Sequence, residues 1–231
     1  MQAVILAGGA GTRLYPLTLN IPKAMIKIKG KPFILHLVEE LKRNGIKDFV
    51  FCIGYLADQF KEFFGDGSRF GIKIAYSVEK KFMGTGGALK LAEPYLKSSF
   101  FVVNGDTYLP IDYTLAQQSF RRSRKMGLMV LYDNKAKIAQ ANINVNDKGL
   151  VIDYIKREKI VLAKKCQFLD AGVQIYRKTV LDLMPKGRFV SLEMDVFPKL
   201  MARKELAAYT VSQRYYDIGT PQRLRVIRKV L

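Results

Sequence analysis

Short β-like runs alternate with helix-period segments through the first half of the chain: AVILA, FILHLVEELKRNG, FVFCIG, ADQFKEFFG, IKIAYS, GGALKLAEPYL and FFVVNGD follow in that order. A strand that feeds a helix and then a second strand returns to the same end of its sheet, so this pattern predicts parallel pairing. Parallel strands are covered on both faces, and continuous apolar runs such as FVFCI agree with that. After residue 126 the rhythm changes to LMVLY, INVNDKGLVIDYIK and FLDAGVQIY. Several strands with few helices between them predict a small β-rich lobe laid over one end of the sheet. The chain then returns to helix in SLEMDVFPKLMA, passes a strand around LAAYTV and closes with YYDIGTPQRLRVIRKVL. With 231 residues, 49% of them apolar, and no linker, repeat or low-complexity tract, a single domain is expected.

Local signals sharpen this outline. In FILHLVEELKRNG, Leu35, Val38 and Leu41 recur at helical spacing and Gly45 fits the C′ stop. His36 lies in that helix with only Glu40 at i+4 as a companion, so it is read as a packing or surface residue, not a metal ligand. Near the other end Thr220 suits an N-cap, Pro221 the first helical position, and Leu224, Ile227 and Leu231 the buried stripe. Cys52 and Cys166 are isolated thiols and are given no chemistry. No window approaches the roughly 18 uninterrupted apolar residues of a membrane span, and the amino terminus is a core strand without a basic leader, so a cytoplasmic protein is expected.

Lys and Arg number 39 against 20 Asp and Glu, a net charge of +19. A field of that sign attracts nucleic acid, anionic lipid and phosphorylated small molecules alike, and does not choose among them. The densest runs, RRSRK at 121–125 and RLRVIRK at 223–229, fall on polar faces of amphipathic helices. Neither interleaves with the exposed aromatics that a single-strand binder needs.

The chemistry-bearing residues stand just past the strands, where open α/β sheets bind their ligands. AVILA runs into Gly8, Gly9 and Gly11, which let the backbone approach a bulky ligand and expose N–H groups to an anion. Arg13 adds a planar fork of donors and Lys23 a mobile point charge, enough to hold a chain of phosphates from two sides. The spacing is not a Walker A loop, for G-K-[ST] is absent, and it lacks the third glycine of a dinucleotide fingerprint. Glu79 and GTGG (84–87) follow a later strand, Asp106 ends FFVVNGD, and Asp217 precedes the last turn and helix. Two carboxylates brought together at such a rim suit Mg²⁺, a hard ion that takes one or two carboxylates plus phosphate oxygen and water.

Five separated stretches now matter together: LAGGAGTRLYPLT with PKAM, FGDGSRFGIKIAYSVE with MGTGGALKLA, VVNGDT, SLEMDVFPKL and YYDIGTPQRL. In this order and across nearly the full chain they resemble the sugar-1-phosphate nucleotidyltransferases, and most of all the short guanylyltransferases acting on heptose or mannose 1-phosphate. The resemblance implies an α/β fold of GT-A type, a Rossmann-like, mostly parallel sheet with a small β-rich sugar-binding lobe. The nucleotide-binding part would span about 1–125, the lobe about 126–190, and the closing helices with the second metal aspartate 191–231. It implies that a nucleoside triphosphate and a sugar 1-phosphate are joined with release of pyrophosphate, GTP being favoured and Mg²⁺ the cofactor.

By matching position, Leu6, Ala7, Gly8, Gly9, Gly11, Thr12 and Arg13 would wrap the triphosphate and Lys23 would contact its reacting end. Glu79, Gly84, Thr85 and Gly87 fall where the family holds base and ribose, and Asp106 and Asp217 match the metal-binding aspartates. Arg13, Lys23 and Asp106 form the expected catalytic set. Members of the family carry a Glu-Lys pair after a hairpin glycine. Counting without a gap from Gly149 puts Lys156 and Arg157 there, with Glu158 and Lys159 two residues late. Lys156, with Lys159 as substitute, is therefore the expected sugar-phosphate cation. Asp170 replaces a commoner Asn and is expected to accept from sugar hydroxyls, beside Asn142 and Gly172. The chemistry makes sense of this set, because a sugar phosphate with a second pKa of about 6 is mostly a dianion and needs no general base. A catalytic His or Cys is not required.

Three rival readings follow from the same residues. A thymidylyl or uridylyl transfer to glucose 1-phosphate keeps every motif and changes only the pocket. A non-catalytic nucleic-acid-binding protein would use the charge of +19 but has no need of Arg13, Lys23, Asp106 and Asp217 together. A dinucleotide-dependent oxidoreductase would need the missing glycine and an acidic residue after FVFCIGY. No specific nucleic acid or membrane partner is expected, and a homo-oligomer is compatible with the sequence.

Overall fold

The computed structural model describes residues 1–155 and 166–231. Its strands are β1 Gln2–Ala7, β2 Lys27–Ile28, β3 Lys31–Pro32, β4 Asp48–Ile53, β5 Lys73–Val78, β6 Ser99–Asn104, β7 Thr107–Tyr108, β8 Gly127–Asp133, β9 Ile143–Val145, β10 Val151–Tyr154, β11 Phe168–Arg177, β12 Leu206–Val211 and β13 Tyr216–Asp217. The helices are α1 Phe33–Arg43, α2 Ala57–Phe64, α3 Gly84–Leu91, α4 Tyr113–Ser123, α5 Phe197–Ala202 and α6 Pro221–Val230.

The main sheet runs β5-β4-β1-β6-β11-β8-β12, with the β9–β10 hairpin attached at the start of β11. β1, β4, β5 and β6 pair in parallel, as do β8 and β12, and β11 is antiparallel to both β6 and β8. Along that path β11 alone runs against the rest, so the sheet is mostly parallel. The strands after residue 126 do not form a separate layer. β8 and β11 are buried almost throughout and complete the main sheet, and only the β9–β10 hairpin stands at its end. Antiparallel pairing needs no crossover helix, which is why the helical rhythm stops there.

Strand alternation divides the core between the two faces. Ala3, Ile5, Phe49, Phe51, Phe101 and Val103 pack with α1, α2 and α4 on one side. Val4, Val50, Cys52, Phe100 and Val102 pack with α3 and α5 on the other. α1 ends as its glycine predicts: Gly45 has φ +79°, its N–H bonds Lys42 O at 2.9 Å, and the Ile46 N–H bonds Leu41 O at 3.1 Å. His36 Nε2 lies 3.0 Å from Ile28 O and ties α1 to β2.

A smaller third core does most to position the site. Leu14, Ile26, Ile28 and Phe33 from the start of the chain, Tyr108 from its middle, and Ile218, Leu224 and Ile227 from its end pack together. The Tyr108 hydroxyl donates to the buried Glu40 carboxylate at 3.0 Å, fixing β7 to α1. α6 starts as expected, with Thr220 Oγ1 accepting from Arg223 N at 3.3 Å and Pro221 at its first position. Leu224 and Ile227 are buried, whereas Leu231 is only partly covered.

Candidate active site

Three adjoining cavities of about 480, 420 and 360 Å³ lie past the carboxyl ends of β1, β4, β5 and β6. Gly9 and Phe82 border both the first and the second; Arg13, Asn104, Asp106 and Glu193 border both the second and the third. The result is one continuous cleft.

The first cavity is walled by Gly8, Gly9, Gly11 and Thr12, with Gly54, Tyr55 and Glu79 opposite. Glu79 is 8% exposed, and its Oε2 accepts from Met83 N at 2.9 Å. Burial pushes its carboxyl above the usual range. A Cβ on Gly8 would overlap Glu79 Oε1, so glycine at this strand end lets it close on the carboxylate as that side chain is placed. Gly9 instead faces open space, within reach of a ligand.

The second cavity is bordered by Leu6, Ala7, Lys23 and Thr85 as well as the shared residues. Lys23 Nζ pairs with Asp106 Oδ2 at 2.5 Å, and Thr107 Oγ1 donates to Asp106 Oδ1 at 3.1 Å. Asp217 reaches the same corner through the short β7–β13 ladder, in which it faces Thr107 and the Ile218 N–H bonds Asp106 O at 3.1 Å. Its Oδ1 accepts from Gly219 N at 2.9 Å and its Oδ2 pairs with Arg223 Nη1 at 2.8 Å. Both aspartates line the third cavity. Among the described residues no group of three or more His, Cys, Asp or Glu gathers as a metal cluster. The donor set is two carboxylates, which is what a hard divalent ion completed by phosphate oxygens and water requires.

The third cavity takes Asn142, Asp170 and Gly172. Register shifts in the β11–β8 pairing between Asp170 and Gln174, a bulge whose left-handed residue is Gly172 at φ +75°. Asp170 Oδ1 accepts from Gly172 N at 2.8 Å and from Gln174 Nε2 at 3.1 Å. Burial outweighs these donors and pushes the carboxyl up to about 7. Asn142 lines the cavity, but its amide donates to Ile155 O at 3.0 Å. Lys156 and Lys159 lie outside the described residues.

Two expected nucleotide residues sit elsewhere. Gly84 and Gly87 border none of the three cavities; a Cβ on either would meet the backbone of 188–190, Val190 O at 2.5 Å or Arg188 O at 2.8 Å. They permit close packing, and within GTGG only Thr85 forms cavity wall. Thr85 Oγ1 accepts from Leu192 N at 2.8 Å and donates to Glu193 Oε2 at 3.0 Å. Glu193, Phe82, Thr107 and Arg223 are cleft residues that the sequence reading left out. Glu193 and Arg223 stood inside SLEMDVFPKL and YYDIGTPQRL, where polar residues beside a recognised motif were the available signal.

A glycine-edged cleft with two carboxylates at its centre thus lies at the carboxyl edge of this sheet. The chain belongs to the nucleotidyl transferase family, whose sequence profile matches residues 2–230. It is 36% identical over 226 residues to D-glycero-alpha-D-manno-heptose 1-phosphate guanylyltransferase of Campylobacter jejuni, covering 96% of each chain. It is 31% identical to a UTP–glucose-1-phosphate uridylyltransferase of Synechocystis, covering all of this chain and 63% of that one. The solved structure of HddC from Yersinia pseudotuberculosis complexed with GMP-PN superposes with a TM-score of 0.81 at 27% identity, over 99% of this chain and 98% of the other.

Proposed function

We propose that this nucleotidyltransferase moves a nucleoside monophosphate, GMP foremost, from its triphosphate to a manno-configured sugar 1-phosphate, heptose or mannose, and releases pyrophosphate. The observation that carries the reading is the continuity of three compartments, the second and third meeting at Asp106, with Asp217 close by through the β7–β13 ladder. The first compartment would take base and ribose against Gly8, Gly9 and Glu79. The second would take the triphosphate between Arg13 and Lys23, and the third the sugar, with Asp170 and Glu193 accepting from its hydroxyls.

An oxygen of the sugar phosphate attacks the α-phosphorus, the bond from that phosphorus to the bridging β-phosphate oxygen breaks, and pyrophosphate leaves with the electron pair. Arg13 and Lys23 hold the two anions together in line and offset the charge that develops. Asp106 and Asp217 would hold Mg²⁺, which when bound supplies charge neutralisation at the phosphate oxygens. Thr107 and Gly219 fix one oxygen of each aspartate for that purpose. Among the described residues no helix is long and apolar enough to cross a membrane, and the reading assigns the enzyme to the cytoplasm with its soluble substrates.

The comparison with the uridylyltransferase supports a second reading, UMP transfer to glucose 1-phosphate. Pyrophosphate release from GTP, UTP, dTTP and ATP, each with mannose, manno-heptose and glucose 1-phosphate, separates the two. GTP with a manno sugar is the expected best pair. Turnover confined to UTP or dTTP with glucose 1-phosphate overturns the first reading, and release from no pair overturns both.

A further inference from the structure

Each aspartate of the central corner has one oxygen held locally and the other paired with a cation, which comes from a distant segment for Asp106 and from the following helix α6 for Asp217. For Asp106 these are Thr107 Oγ1 and Lys23; for Asp217 they are Gly219 N and Arg223. The two cations face different compartments. Lys23 borders the second cavity, where the triphosphate would lie, and Arg223 borders the third, where the sugar phosphate would lie.

Arg223 is built to move at its side chain only. Its N–H is capped by Thr220 at 3.3 Å, and the next residue, Leu224, is locked in the small third core. Its side chain is 36% exposed, against 13% for the Asp217 side chain it holds. A divalent ion engaging Asp217 brings two further positive charges to contact distance of the guanidinium, and like charges so close repel strongly. The arriving sugar phosphate is a dianion in the same cavity, and a guanidinium fork suits phosphate at least as well as carboxylate.

We propose that Arg223 is stored on Asp217 in the unliganded protein and is handed over to the phosphate of the sugar 1-phosphate when a divalent cation takes Asp217. This rests on the functional reading above and adds to it a substrate-binding residue on α6 and a coupling between metal and sugar phosphate. Coupling of this kind is reciprocal: the metal tightens sugar-phosphate binding, and the sugar phosphate tightens metal binding.

The test uses Arg223→Gln and Arg223→Lys in the full chain, with circular dichroism to establish that each is folded. Mn²⁺ binding to the substrate-free protein is followed by the electron spin resonance of the free ion. Mannose 1-phosphate binding is measured by calorimetry with and without Mn²⁺. Removing the competitor should make R223Q bind Mn²⁺ about threefold to tenfold tighter, while its affinity for mannose 1-phosphate falls about tenfold and no longer responds to Mn²⁺. R223K should recover part of the sugar-phosphate affinity, and GTP binding should stay within about twofold in both. Weaker or unchanged Mn²⁺ binding in R223Q overturns the proposal, as does unchanged mannose 1-phosphate affinity. If wild-type protein turns over no substrate pair, the functional reading falls instead, and the Mn²⁺ arm alone still decides whether Arg223 guards Asp217.

Discussion

The two ends of the main sheet treat charge in opposite ways. At the carboxyl ends, Glu79, Asp106, Asp170, Glu193 and Asp217 converge on one cleft, and the cations among them are engaged or aimed: Lys23 on Asp106, Arg223 on Asp217, Arg13 between two compartments. At the amino ends, Lys47, Lys73, Arg121, Arg122, Arg203 and Lys204 are exposed. The acids there are already taken, Asp48 by Lys97 and Glu205 by Lys125. An excess of 39 basic over 20 acidic residues is thus no fingerprint of the site. What distinguishes the cleft is that its charges of both signs are held in fixed geometry, and exposed lone cations contribute little to either stability or specificity.

That contrast breaks most visibly at Asp106. Asp106→Ala or Asp217→Ala should lower kcat/KM for the best substrate pair about a thousandfold by pyrophosphate release, with little change in melting temperature. A loss of less than tenfold in both would leave the carboxylate corner without a catalytic role.

A middle-sized effect is expected from Asp170. Burial raises its folded pKa to about 7, above the unfolded carboxylate value. The folded state therefore holds its proton more tightly, so the stability this group contributes is full at low pH and is lost as pH rises from about 4 to about 7. Asp170→Asn abolishes that titration. The stability of wild type relative to D170N, from urea melts at pH 5 and pH 8, should fall by up to about 3 kcal/mol across the interval. A flat difference means that the carboxylate stays ionised in the fold.

The smallest effect belongs to the opposite pole. Combined reversal of Arg121, Arg122 and Lys204 to Glu should leave kcat/KM within about twofold and shift elution from heparin to lower salt. A larger loss of turnover would mean that the amino-end charge reaches the cleft.

How much of this could be read beforehand differs between the halves of the sheet. The parallel half was legible because strand, helix and strand follow one another locally, with apolar runs inside β1, β4 and β6 and a stop signal such as Gly45 after α1. Thr220 and Pro221 announced α6 in the same way. The joining of β8 and β11 to that sheet was not legible, since their pairing with β6 and β12 links residues far apart in the chain and no turn chemistry encodes it. In the site, Asp106 and Asp217 were found from strand ends and motifs. The dual engagement of each was not, because it depends on the reach of the long Lys23 and Arg223 side chains in the folded chain. The packing of Gly84 and Gly87 was not legible either: a glycine that faces a cavity, as Gly9 does, and one that touches the backbone of 188–190 look alike in one dimension.

The small third core has a consequence for how the enzyme comes into being. Its last contributors, Ile218, Leu224 and Ile227, are translated after every strand of the main sheet. A nascent chain would therefore complete its glycine-edged pocket and its sheet while the corner beside Asp106 still lacked a second carboxylate. On the proposed reading, the carboxylate corner would be the last part of the cleft to assemble as these residues emerge during synthesis.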